Sequence, residues 1–179
     1  MRLAYFSPLN PQPSGISDYS EELLPYLAAE ADITLFVDGF EPSNPEIRDR
    51  FTWLDYRRNP SVLKTLADYD AIVYHMGNDH RYHASMLEVA RAHPGIVVFH
   101  DFALQDFFLG LAQERNRSEI YLEETFACHG RHATREAAEA LERDHLDYDR
   151  QALDHEDPAD HDQEQLRLRH HGEPGNRPA

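Results

Sequence analysis

The sequence predicts an α/β fold: a doubly wound, mostly parallel sheet, followed by helices and a disordered tail. Three observations carry this. Short β-branched apolar runs alternate with stretches of helical apolar spacing over residues 1–112. Glycine and proline punctuate the joins. A chain of 179 residues suits one domain with a core large enough to fold without staples. Runs such as Ile96-Val97-Val98-Phe99 are expected to lie in strands buried on both faces of a parallel sheet with right-handed crossovers. The natural strand order is 3-2-1-4-5. In such open sheets ligands bind beyond the carboxyl ends of the strands, where the order reverses. Here that point falls between the loops after the first and fourth strands.

The elements follow in order. Residues 3–7 form the first strand. Pro8, Pro11, Pro13 and Gly15 then impose a loop. Ser17 or Asp18 is expected to cap the next helix, and Asp18 with Glu21 has capping-box spacing. Tyr19, Leu23, Leu24 and Leu27 make its apolar stripe. Pro25 lies inside it and is expected to kink it, since an interior proline costs about 3 kcal/mol. Residues 33–37 form the second strand, ended by Asp38-Gly39, and 51–54 the third. A short helix covers 61–67. Residues 71–74 form the fourth strand and lead into a His75-to-Asn78 loop. Residues 80–92 form a helix with Tyr82, Met86, Val89 and Ala90 on one face, stopped by His93-Pro94-Gly95. Residues 96–99 are the fifth strand, and helices are expected over 104–114 and 118–143.

Composition then narrows the function. The formal charge of −16 argues against nucleic acid and against docking on an anionic membrane. No apolar run approaches the ~18 residues of a membrane-crossing helix, and the N-terminus lacks signal-peptide features. A single cysteine, Cys128, fits a reducing compartment, so a cytoplasmic location is expected. Residues 145–179 hold nine Asp/Glu, four Arg and five His, but only four Leu and one Tyr as larger apolar residues. That cannot offset an ordering cost of about 1–2 kcal/mol per residue. Residues 1–143 are therefore expected to be the folded domain. Residues 144–179 are expected to be an acidic, His-rich disordered tail, with a fraying helix near 162–169.

Three loops converge on the predicted crevice. In the first, Ser14 and Gly15 precede a helix N-terminus, where backbone N–H groups and the helix dipole favour an anion. A turn glycine without a ligand explains the same residues. In the second, His75, Gly77 and Asn78 combine a ring donor, a residue permitting close backbone approach and an amide suited to a sugar hydroxyl. A helix cap from Asn78 or Asp79 is the plainer alternative. In the third, His100 follows the fifth strand and is placed for proton exchange. Asp101 beside it either orients the imidazole or caps the next helix. These two are the expected catalytic residues. Asp38 stands where a dinucleotide fold places its ribose acid, but no G-x-G-x-x-G or Walker A sequence occurs, which disfavours a nicotinamide enzyme. His75, His80 and His83 lack the H-E-x-x-H pattern of zinc hydrolases, and Cys128-His129 with His132 lacks partner cysteines, so no metal is expected.

These residues resemble a known family. The stretch Pro11-Gln12-Pro13-Ser14-Gly15-Ile16-Ser17-Asp18-Tyr19-Ser20, followed by Glu21-Glu22-Leu23-Leu24-Pro25, resembles the start of retaining GT-B glycosyltransferases of family 4, the group 1 type. Tyr74-His75-Met76-Gly77-Asn78 and Val98-Phe99-His100-Asp101-Phe102 are similar to two later motifs of one bacterial branch, and Tyr121-Leu122-Glu123-Glu124 continues the likeness more weakly. The resemblance covers about residues 1–143. It implies the N-terminal, acceptor-side Rossmann-like half of an enzyme that moves a sugar from a nucleotide-sugar donor to a glycan or other acceptor. It implies retention of configuration and no metal or other cofactor. By the same resemblance Gly15 lies near the donor phosphates, His100 near the reacting sugar, and Asn78 in a loop facing the inter-domain cleft.

The second Rossmann-like domain of such enzymes, with its paired glutamates, has no counterpart in these residues. Glu22 with Glu30 and Glu156 with Glu164 have the right separation. The first pair falls on the first helix and the second in the tail, so both are read as coincidence. The resemblance therefore implies a truncated half, inactive alone, whose partner is a separate donor-domain chain. Two alternatives use the same residues: a non-catalytic sugar- or nucleotide-binding module, and a metal-dependent hydrolase built on the histidines.

Overall fold

The computed structural model describes the backbone of residues 1–154 and the side chains of residues 1–143. The expected tail lies largely outside the described residues, and the helix proposed near 162–169 lies wholly outside them. The order of elements is β1 (Arg2–Phe6), α1 (Gly15–Leu27), β2 (Asp32–Val37), α2 (Pro45–Arg50), β3 (Thr52–Asp55), a 3-10 helix (Pro60–Asp68), β4 (Ala71–Met76), α3 (His80–Ala92), β5 (Ile96–Phe99), α4 (Gln105–Glu114) and α5 (Glu119–Asp154). The five strands form one sheet in the order β3-β2-β1-β4-β5, and every pairing is parallel. The expected α/β fold and its strand order are both present.

Side-chain alternation divides the core into two layers. On one face Phe6, Phe36, Tyr74 and Met76 pack with Met86 and Val89 of α3 and Phe107 and Leu111 of α4. On the other, Leu3, Tyr5, Ile33 and Leu35 pack under Leu24 of α1 and Ile47 of α2. β1 and most of β2 are buried on both faces, as a central parallel strand requires.

Four local expectations need correction. β5 is not buried on both faces: Ile96, Val97 and Phe99 are exposed, and neither core layer contains a β5 residue. The strand pairs only with β4, at the edge of the sheet. β4 runs on to Met76, which puts His75 inside the strand rather than in the loop. Ser14 caps α1, accepting from Ile16 N at 3.2 Å. The proposed box acid Glu21 instead accepts from Asn10 N at 2.8 Å and Asn44 Nδ2 at 2.7 Å, tying the proline loop to α2. The short helix after β3 is 3-10 rather than α. α1 remains one helix through Pro25, which stands two residues from its end and leaves the Glu21 carbonyl without its i+4 ladder donor.

Contacts divide the chain into a unit Met1–Glu124 and a second unit from Thr125. The first holds the sheet. In the second, the helical path is broken at Gly130, whose φ of 77° and ψ of −175° suit only glycine. Arg135 donates to Glu139 at 2.9 Å one turn along the same helix.

Candidate functional site at the carboxyl edge of the sheet

The site is built at the ends of β1, β4 and β5. After β1 the chain turns through Ser7, whose buried hydroxyl meets Ser20 Oγ at 2.6 Å; Tyr5 OH also donates to Ser20, at 3.1 Å. These bonds seat α1 against β1. Ser17 Oγ donates to Gln12 O at 2.8 Å, closing the proline loop over the first turn. Ser14 is thus occupied as a cap acceptor. Gly15 is different. The space a Cβ would fill there is open, and its φ is not left-handed, so the protein's own packing does not demand a glycine.

Gly77, after β4, is enclosed instead. A Cβ there would press on Ile16 Cδ1 of α1, His83 Nε2 of α3 at 3.0 Å and Asp101 Oδ2 at 3.1 Å. That crowding shows how closely the three loops meet. His100 N donates to Met76 O at 2.9 Å, extending the β4–β5 ladder by one step. The His100 ring therefore lies beside His75, with Nδ1 of His75 and Nε2 of His100 at 2.8 Å. Tyr5 lies against the His75 ring at 4.6 Å, and Tyr19 meets the His100 ring edge-on at 4.9 Å.

Electrostatics follow burial. His75 is 3% exposed, and burial, reinforced by the nearby His100 and His83, pushes its pKa down to about 4. His83 is 1% exposed and also lies at about 4 through burial, against the opposing pull of Asp79. Its Nδ1 has no hydrogen-bond partner. His100 is lowered by partial burial, with Asp101 pulling the other way. At neutral pH the His75 and His83 rings are uncharged.

The other expected site residues serve the scaffold. Asp101 Oδ2 accepts from Asn78 N at 2.7 Å, so the carboxylate holds the β4 loop; no bond to the His100 ring is made. Asn78 turns toward α4: its Oδ1 accepts from Phe107 N at 2.9 Å and its Nδ2 donates to Asp106 at 2.9 Å. It supplies the cap that Leu104, at the start of α4, cannot. Asp38 accepts from Ser85 Oγ at 2.5 Å through Oδ2 and pairs with Arg57 at 3.0 Å through Oδ1, which is buried and makes no hydrogen bond. Among the described residues no group of three His, Cys, Asp or Glu is placed to hold a metal ion.

The edge therefore brings together Ser14, Gly15, His75, Gly77, His100 and Asp101, and turns the Asn78 side chain away. Sequence reasoning missed Tyr19 and His83 as neighbours of the pair. Tyr19 reads as part of an apolar helix stripe, and nothing in its spacing marks it. His83 had a signal: with Met86 and Val89 it repeats at three-residue intervals on the buried face of α3.

No family model, curated protein or solved structure matches this chain. Among the described residues no helix is long and apolar enough to cross a membrane.

Proposed function

We propose that this chain is the acceptor-side half of a retaining glycosyltransferase using a nucleotide-sugar donor. One observation carries the reading. The three motifs that resemble family 4 glycosyltransferases, at 11–25, 74–78 and 98–102, are separate in the chain, yet they meet at one edge of the sheet, where a Cβ at Gly77 would press on both Ile16 of α1 and Asp101. A doubly wound sheet binds ligands at that point of reversed strand order. The open space over Gly15 at the start of α1 suits a phosphate. His100, half-buried and with its pKa lowered by burial, suits a hydroxyl or a leaving oxygen near the reacting carbon. A polar donor and anion cradle without a bound metal would hold the pyrophosphate by backbone N–H groups and the helix dipole.

A single Rossmann-like half offers only one wall of a cleft. Binding energy cannot then be focused on the transition state, so this chain alone is expected to turn over nucleotide-sugars little. The direct test is a turnover assay with UDP-, GDP- and ADP-sugars, run with and without a donor-domain chain. Restored activity that His100→Ala abolishes supports the reading. Robust activity of the chain alone contradicts the half-site argument. The binding-module alternative shares the crevice and predicts calorimetric binding with no turnover in any combination. The hydrolase alternative gains nothing from the placement of His75, His80 and His83, which do not converge on one point.

A further inference from the structure

The His75–His100 contact has a logic of its own. Two imidazole nitrogens 2.8 Å apart must share one hydrogen, one donating and the other accepting. If both rings were imidazolium, both nitrogens would donate and the bond would be lost. Of the two rings His75 is the more deeply buried. A charge is therefore less costly on His100, which lies at the crevice. A charged His100 donates through both of its nitrogens, so His75 Nδ1 must then be the acceptor. His75 keeps its own hydrogen on Nε2.

We propose that His75 is the positioning residue of this site: it accepts from His100 Nε2, fixes that ring, and leaves His100 Nδ1 as the one nitrogen that gains and loses a proton. The inference deepens the proposed function and rests on it for its catalytic consequence, not for the coupling itself. The surroundings agree. The groups facing the pair are Tyr5 from β1, Tyr19 from α1, His83 from α3 and Asp101 after β5. Of these only Asp101 carries a negative charge, and it acts on His100 and on His83 rather than on His75. Among the described residues no carboxylate lies near enough to His75 to favour a charge on it. Burial of His75 in the β4 strand, under Tyr5, leaves it unable to reach a ligand except through His100. This revises its expected role in binding substrate directly.

The test is long-range proton–nitrogen NMR of the uniformly labelled full chain, titrated from about pH 8 to about pH 3. In the wild type His100 is expected to show a protonated Nε2 throughout and to titrate at Nδ1. His75→Phe removes the acceptor. A hydrogen bond to a charged donor is stronger than one to a neutral donor. The His100 midpoint is therefore expected to fall by roughly half a unit to one unit in that variant, and its neutral form to become a tautomer mixture. His75→Asn, whose amide reaches the place of Nδ1, is expected to restore most of the shift. Unchanged His100 signals in a folded His75→Phe chain overturn the proposal. If His75→Phe does not fold, His100→Ala decides: the His75 midpoint rises when its like-charged neighbour is gone, and an unchanged midpoint overturns the coupling. Neither readout needs transferase activity, so failure here is distinct from failure of the proposed function.

Discussion

Gly15 and Gly77 show at the residue scale how one amino acid type serves opposite needs. Gly77 is crowded by three side chains, whereas Gly15 faces empty space. Gly77→Ala is expected to destabilise the chain by about 1–3 kcal/mol, because His83 and Asp101 would have to move. Gly15→Ala is expected to leave stability unchanged or raise it by up to about 1 kcal/mol, since alanine is the better helix former. The same substitution is expected to weaken nucleotide-sugar binding if that space is the phosphate seat. Urea unfolding of both variants checks the first pair of outcomes, and calorimetry checks the last. The buried histidines set a pH dependence. His75 and His83 titrate near 4 in the folded chain and near 6.5 when unfolded. Between these values the unfolded state binds more protons, so stability is full above about pH 6.5 and falls as pH drops toward 4. The expected loss is on the order of 3 kcal/mol per histidine, and His83→Gln should flatten the slope measured by unfolding at stepped pH.

The elements divide into those whose sequence pattern sees only local chemistry and those whose state depends on neighbours. The bounds of α3 and β5 were legible because helical spacing and a β-branched run between stop signals are local properties. The burial of β5 was not, since cover depends on which helices reach it. Two phenylalanines make the contrast measurable. Phe107→Ala empties a fully buried position of α4 and is expected to cost about 3–5 kcal/mol. Phe99→Ser, on exposed β5, is expected to stay within roughly 0.5 kcal/mol of wild type. Equal losses in urea unfolding would show that β5 is covered. The cap of α4 was equally hidden, because its donor, Asn78, lies 29 residues away from Phe107 in the chain. Asn78→Ala is expected to cost about 1–2 kcal/mol by leaving the Phe107 N–H without its partner.

At the scale of the whole molecule, the strand order was legible because right-handed parallel crossovers leave few arrangements of five strands. The place of the candidate site is read from that order. The identities of the working side chains did not follow as far: His75 proved to be buried in a strand, and Asn78 and Asp101 proved to hold loops together. The carboxyl edge of the sheet carries an open helix start at Gly15 and the His75–His100 contact. The proposal that a nucleotide-sugar binds at this edge is tested most directly by amide NMR titration of the labelled chain with UDP-, GDP- and ADP-glucose. One of them is expected to shift the amides of Gly15, Ile16 and Gly77 together with the His100 ring. Saturating concentrations of all three that leave those signals in place would contradict it.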